Sequence, residues 1–221
     1  MIRLILASAL VLSACTVPTP GTTGASPTST SAVASSPVAT PSTGAAASAS
    51  PPGSSQSGVV VAANCKAPAT PTTESTEGPY FKAGSPEKAS LVTAGMTGTK
   101  IQLIGLVLTR SCKPVTDAKV DIWQANANGE YDNTGYTLRG YVRADANGQY
   151  RIETIVPGKY PGRTPHIHVK VTAGGKTLTT QLYMPDESSN TSDSIFRPEL
   201  AMQIIQGPPM SGAFAFILDL P

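Results

Sequence analysis

Charge and aromatic side chains are missing from a long stretch near the start of this chain. Between Thr16 and Asn64 there is no acidic, basic or aromatic residue, only Ser, Thr, Pro, Ala, Gly and Val with an occasional amide. Such a stretch holds too little apolar surface to offset the entropy of ordering it, which excludes a packed domain there and predicts an uncharged tether. An excess of one charge is missing too. All fourteen acidic residues and fifteen of the sixteen basic ones lie beyond residue 64. They nearly cancel, so no basic patch is available and nucleic acid is excluded as a partner. Residues 1–15 contain an apolar run too short to span a bilayer as a mature helix. No Gly-x-Ser-x-Gly elbow occurs, which removes the usual framework for a serine hydrolase. Histidine is the scarcest chemical resource, with two in 221 residues, and cysteine numbers three.

The first fifteen residues carry one positive charge, an apolar run and then Leu12-Ser13-Ala14-Cys15, the pattern of an export signal. That ending resembles the lipobox of bacterial lipoproteins. The resemblance implies that Cys15 is acylated, becomes the new N-terminus and anchors the protein at the outer face of a membrane. The folded part is then residues 65–221, and 221 − 64 = 157 residues suffice for one domain with a real core. Two cysteines remain in it, Cys65 and Cys112. An even pair in an oxidising compartment is most simply a disulfide, worth about 4 kcal/mol in the chain-entropy picture.

Within the domain, short β-type runs alternate with turn formers. Strands are predicted at Ile101–Leu108, Ala118–Gln124, Leu138–Ala144, Gln149–Ile155, His166–Val171, Thr177–Met184 and Ala213–Leu218. Asp145-Ala-Asn-Gly148 reads as a hairpin turn, and Gly174-Gly175 as another turn. A short helix fits residues Ser194 to Gln206, with Pro198 near its start. Seven strands at this spacing predict an all-β sandwich of Ig-like or transthyretin-like character.

Both histidines fall in one stretch, Gly158-Lys-Tyr-Pro-Gly-Arg-Thr-Pro-His-Ile-His168. If it ends in a strand, period two puts His166, His168 and Lys170 on one face and Ile167, Val169 and Val171 on the core face. Two surface histidines on a solvated strand would look the same. However, the chain spends its only histidines together, beside Tyr160 and Arg163 in a Gly/Pro loop, which favours a metal site. Two imidazoles do not complete one, and further ligands must come from Tyr, Asp, Glu or Cys. Trp123 reads as a core residue.

Six motifs occur in order: Thr-Glu-Gly-Pro-Tyr80, Asp-Ile-Trp-Gln-Ala-Asn-Ala-x-Gly-x-Tyr131, Leu-Arg-Gly140, Pro-Gly-x-Tyr-Pro161, Arg-x-Pro-His-Ile-His168 and Thr-Gln-Leu-Tyr183. Together they resemble the intradiol ring-cleavage dioxygenases, most nearly the protocatechuate 3,4-dioxygenase branch, over about residues 74 to 220. The resemblance implies a non-haem Fe(III) held by Tyr131, Tyr160, His166 and His168, with Tyr160 as the ligand that dissociates. It implies that Arg163 and Gln181 stabilise and orient charge during reaction, and that Tyr80 approaches the substrate. The implied reaction joins a catechol and O2 into a cis,cis-muconate-type dicarboxylic acid. The segment between Tyr160 and His166 is shorter than in the large soluble members. A transthyretin-like binding module without catalysis is the competing reading, since Val156-Pro-Gly-x-Tyr160 and Asp145-Ala-Asn-Gly148 suit it equally. A cupin is disfavoured because its motif needs a glutamate that Val169 to Lys176 lack.

Overall fold

The computed structural model describes residues 65–221; the signal-like segment 1–15 with Cys15 and the tether 16–64 lie outside the described residues. Eight strands form: β1 Lys100–Thr109, β2 Lys119–Gln124, β3 Arg139–Arg143, β4 Gln149–Ile155, β5 His166–Ala173, β6 Lys176–Tyr183, β7 Gln203–Ile205 and β8 Met210–Leu218. They make two four-stranded sheets, ordered β4-β1-β8-β7 and β3-β2-β5-β6. Neighbours are antiparallel except β1 and β8, which run parallel. The expected β-sandwich is therefore the architecture found, and among the described residues no α-helix forms.

Alternation in the strands creates the core. Val120 and Ile122 of β2, Ile167, Val169 and Val171 of β5, and Leu178 and Leu182 of β6 join Leu103, Val107, Ile152 and Phe216 of the other sheet in one buried cluster. Each such side chain withdrawn from water contributes about 1.5–3 kcal/mol. The β5–β6 hairpin closes through Gly174 and Gly175, at φ +56° and +73°, between paired Ala173 and Lys176. Two consecutive left-handed residues match the twist of the flanking strands, and glycine takes that conformation without penalty.

Two local expectations are corrected. Asp145–Gly148 is a turn, with Asp145 Oδ1 accepting from the amides of Asn147 and Gln149 at 2.8 Å each. Yet it joins different sheets rather than a hairpin, because β4 pairs along β1 and the Gly148 carbonyl accepts from Val107 N at 2.8 Å. The helix over Ser194–Gln206 does not form. Only a 3-10 turn appears at Pro198–Leu200, followed by β7. Leu200, Met202 and Ile204 alternate, Leu200 and Met202 are buried, and β8 offers unpaired backbone groups to this segment, so strand pairing wins over helix.

The segment before β1 covers sheet edges. Ser75 N donates to Thr179 O on β6, Lys88 N to Tyr141 O on β3 and Leu91 N to Glu153 O on β4, at 2.8–2.9 Å. Edge backbone that would otherwise pair with another chain is thereby satisfied. Cys65 and Cys112 are bonded, which ties the start of this segment to the turn that crosses from β1 to β2. That turn joins the two sheets.

Candidate active site

β5 sends His166 and His168 out of the face opposite Ile167, Val169 and Val171, with ring centroids 4.8 Å apart. The imidazole face is not solvated: His166 is 2% exposed and His168 1%. Trp123, opposite His168 in the β2–β5 register, stacks on it at 4.9 Å and 9°. Trp123 is thus buried as expected, but it packs on His168 and Phe81 instead of in the cluster between the sheets. Its opposite parity to Val120 and Ile122 was the available signal. The segment before β1 crosses above. Gly78 sits there at φ +69°, so near that a Cβ would lie 3.2 Å from His168 Cε1. A left-handed backbone and this close approach both favour glycine.

Two interlocked loops deliver the tyrosines. Asn126 Oδ1 accepts from Asn128 N (2.8 Å) and Glu130 N (3.0 Å), folding the loop after β2, while Asn126 O accepts from Gly158 N (2.8 Å). A Cβ on Gly158 would come within 2.4 Å of Ala127 O, and one on Gly129 within 2.4 Å of Lys159 O, so the loops meet backbone to backbone. Tyr131 and Tyr160 end up with ring centroids 5.9 Å apart at 77°. Tyr80 lies flat on Tyr131 at 4.3 Å and presents an edge to Tyr160. Buried Arg139, which carried no assignment from sequence, staples this stack by donating Nη1 to Tyr80 O (2.6 Å) and Nε to Asp132 O (3.0 Å).

Arg163 follows Tyr160 across the short turn Pro161-Gly162, with Arg163 N donating to Tyr160 O at 2.9 Å. Its Nη2 donates to Gln181 Oε1 (2.6 Å), its Nη1 lies 3.5 Å from Tyr160 Oη, and its Nε donates to Asp193 Oδ2 (2.9 Å). Gln181 is fully buried. Its Oε1 also accepts from the Tyr183 hydroxyl at 2.8 Å and its Nε2 donates to Thr76 O at 2.9 Å. Asp193 had no signal of its own in the sequence, because the fold brings it here from 30 residues beyond Arg163, and Tyr183, although it closes the Thr-Gln-Leu-Tyr motif, carried no assigned role.

All seven candidate residues of the resemblance thus converge. Burial drives His166 down to about 4, with the Thr164 carbonyl opposing, and His168 down to about 2, with His166 and Arg163 adding to burial. Burial raises Tyr131 well above a free phenol, helped by Tyr160, and raises Tyr160 against the pull of Arg163. For Arg163 burial is the largest single influence and works downward, but the Asp193 hydrogen bond together with the charges of Tyr160, Asp193 and Tyr183 outweighs it, and the guanidinium stays charged.

This donor set fits a hard trivalent cation. His166 Nδ1 is 2.7 Å from Thr164 O, and a carbonyl can only accept, so the proton sits on Nδ1 and Nε2 keeps its lone pair. That lone pair faces His168 Nε2 at 3.2 Å and Tyr160 Oη at 3.4 Å. Tyr131 Oη is buried and makes no well-formed hydrogen bond, although the Tyr160 hydroxyl lies near enough to raise its pKa. His168 Nδ1 likewise makes no well-formed bond, although the Thr76 backbone lies near enough to raise its pKa slightly. Among the described residues no group of three or more His, Cys, Asp or Glu could hold a metal, so phenol oxygens must complete the set. Two imidazoles with two ionisable phenols suit ferric iron better than a softer divalent ion.

One pH effect follows for the metal-free protein. Both folded pKa values lie below the ordinary 6.5, so the unfolded chain binds more protons and stability falls as pH drops from 6.5. Each histidine is expected to remove about 3 kcal/mol by pH 4. Denaturant melts at pH 7 and pH 4.5 measure this. A variant with both histidines replaced by alanine should lose the histidine part of the slope, and an unchanged slope would contradict the buried, neutral imidazoles.

Comparison with known proteins agrees with this arrangement. The Dioxygenase family model (Dioxygenase_C) matches residues 76–211. Catechol 1,2-dioxygenase of Acinetobacter baylyi is 35% identical over 144 residues, covering 52% of this chain and 46% of that protein. The protocatechuate 3,4-dioxygenase beta chain of Burkholderia cepacia is 36% identical over 125 residues, covering 47% and 53% respectively. The chain spans about half the length of these curated relatives. Among solved structures, the dioxygenase domain of a dioxygenase carbohydrate-binding protein fusion from Streptomyces sp. SirexAA-E is 48% identical with a TM-score of 0.67. It covers 69% of this chain and 100% of that one. A matching family model over most of the folded part, set beside two tyrosines, two histidines and an arginine gathered under one roof, places the chain in the intradiol ring-cleavage dioxygenase family.

Proposed function

We propose that this protein uses a non-haem Fe(III), held by Tyr131, Tyr160, His166 and His168, to cleave a catechol ring between its two hydroxylated carbons. One catechol and one O2 combine, and both oxygen atoms are retained in a cis,cis-muconate-type dicarboxylic acid. The observation that carries the reading is the convergence of two phenols and two neutral imidazoles, with Tyr131 Oη making no well-formed hydrogen bond. Relatives named for catechol and protocatechuate support the substrate class. Ferric iron, when bound, supplies the Lewis acidity that keeps phenols ionised far below their free pKa and makes a bound catechol electron-rich enough for dioxygen to add to carbon.

The chain's own residues divide the remaining work. Tyr131 is clamped between Tyr80, His168 and the Arg139 staple, so it is the fixed phenol. Tyr160 sits on a two-residue turn whose Gly162 has open space around it, and its hydroxyl makes only long contacts to His166 and Arg163. It can swing away and take a proton from the entering catechol at Oη. Arg163 Nη1, 3.5 Å from that oxygen, stabilises negative charge that grows during reaction. Gln181, with both ends of its amide engaged, acts by aiming Arg163. Tyr80 walls the substrate side of Tyr131.

Metal analysis and a visible spectrum of the purified protein test the reading. A phenolate-to-iron charge-transfer colour is expected, shifting when catechol is added without oxygen, followed by oxygen uptake in air. A colourless, iron-free protein after Fe(III) supply, with no oxygen uptake on any catechol, would falsify it and leave the non-catalytic module.

We further propose that Cys15 carries lipid and holds the enzyme at the outer face of a bacterial membrane. The Leu12–Cys15 pattern supports this, as does a disulfide in the domain, which belongs to an oxidising compartment. Cys15→Ser is expected to move the protein from the membrane to the soluble fraction. Unchanged membrane association on fractionation would argue against acylation.

A further inference from the structure

We propose that Asp193 is a positioning residue for the reaction: its buried carboxylate fixes the direction in which Arg163 presents its charge and, through Thr164, the orientation of His166. The role rests on the dioxygenase reading above. Asp193 sits in the long connection between β6 and β7, and its side chain is 1% exposed. Oδ2 accepts from Arg163 Nε at 2.9 Å and from Thr164 N at 3.0 Å, and Oδ1 accepts from Ile195 N at 2.9 Å. Two successive residues at the entrance to β5 are thus held by one oxygen.

The consequences run to both sides of the site. With Nε tied behind, the guanidinium can only project Nη1 and Nη2 forward, toward Tyr160 Oη and Gln181 Oε1. Thr164, held by its amide, is also held by its hydroxyl, which donates to Asn190 Oδ1 at 2.7 Å and lies 2.9 Å from Ser189 Oγ. Its carbonyl is the acceptor for His166 Nδ1. A buried charge pair of this kind contributes little net stability compared with an apolar replacement, but removing one partner strands the other. Specification of geometry is therefore the better account of its presence than stability.

Asparagine at this position tests the role without changing size. Its amide has one accepting oxygen and one donating nitrogen, so it can serve Ile195 or the Arg163–Thr164 pair, but not both. In the full-length ferric protein, Asp193→Asn is expected to lower kcat for catechol roughly tenfold or more, the loss of an aimed charge in the transition state. KM should stay within about threefold and most of the iron and the charge-transfer band should remain, because no ligand is removed and Thr164, whose carbonyl orients His166, stays held through its hydroxyl by Asn190. Asp193→Glu, which keeps the carboxylate, should recover part of kcat. A crystal structure of Asp193→Asn should show the Arg163–Gln181 contact broken. The proposal is overturned if kcat stays within about twofold with Arg163 unmoved, or if kcat falls only in step with iron content and melting temperature. If the wild type itself turns over no catechol, the dioxygenase reading fails, and the position of Arg163 in the variant structure decides the role of Asp193 alone.

Discussion

His168→Ala and His166→Ala are each expected to give a folded protein that no longer retains ferric iron at neutral pH and shows neither colour nor catechol-dependent oxygen uptake. The site offers only four donors from protein, and two of them are phenols that burial holds neutral in the absence of a cation. Binding the ion must therefore also offset the loss of two phenol protons. Removing one neutral nitrogen takes away a coordinate bond without reducing that cost, so affinity should fall by well over roughly 100-fold, the upper range seen when merely outer partners of a metal site are removed. The fold should persist. His168 packs on Trp123 and under Gly78, outside the cluster between the sheets, and that cluster is untouched by the change. Metal content measured after dialysis, beside a thermal melt, separates the outcomes. A His168→Ala protein with wild-type iron content would remove β5 from the metal site.

Tyr160→Phe is expected to act differently from Tyr131→Phe, although both delete one phenol oxygen. Tyr160 Oη makes only contacts of 3.4–3.5 Å, and its ring stands at the rim with Tyr80 as an edge-on neighbour. Losing it should leave much of the iron, remove part of the colour and lower kcat roughly 100-fold or more, because the entering catechol loses a proton acceptor. Tyr131 lies deeper, stacked on Tyr80 and flanked by Arg139, and its phenylalanine variant should lose iron outright. Tyr150→Phe is the control. Its hydroxyl donates to Phe214 O at 2.9 Å within the β4-β1-β8-β7 sheet, which does not carry the histidines, so the variant should keep colour and turnover while losing about 1 kcal/mol of stability. Equal loss of iron from the Tyr160 and Tyr131 variants would contradict the division into a fixed and a leaving phenol.

Much of the site was legible because strand alternation is strictly local. His-Ile-His-Val-Lys-Val could only put its imidazoles opposite its aliphatics, and β5 does so. The turn at Gly174-Gly175 was equally legible, and both residues do take positive φ. The same local rules misplaced Asp145–Gly148. A turn's own hydrogen bonds fix its shape, whereas whether β4 then pairs with β3 or with β1 depends on which partner completes the core. They also put a helix over Ser194–Gln206, where the edge of β8 drew Gln203–Ile205 into a strand instead.

Residue order alone established the all-β class and the motif positions of Tyr131, Tyr160, Arg163, His166, His168 and Gln181, because period, turn chemistry and motif spacing are properties of neighbours along the chain. Only the tertiary structure decided that the imidazole face is roofed rather than wet, that Trp123 belongs to that roof, that Arg139 staples the Tyr80–Tyr131 stack and that Asp193 reaches Arg163. Those contacts span 30 residues in the case of Asp193 and 59 in the case of Arg139 and Tyr80. At such separations the chain has no local preference to read. Partners are chosen by which segments the closed sandwich leaves beside one another, and by the cost of leaving a buried charge or hydroxyl without one.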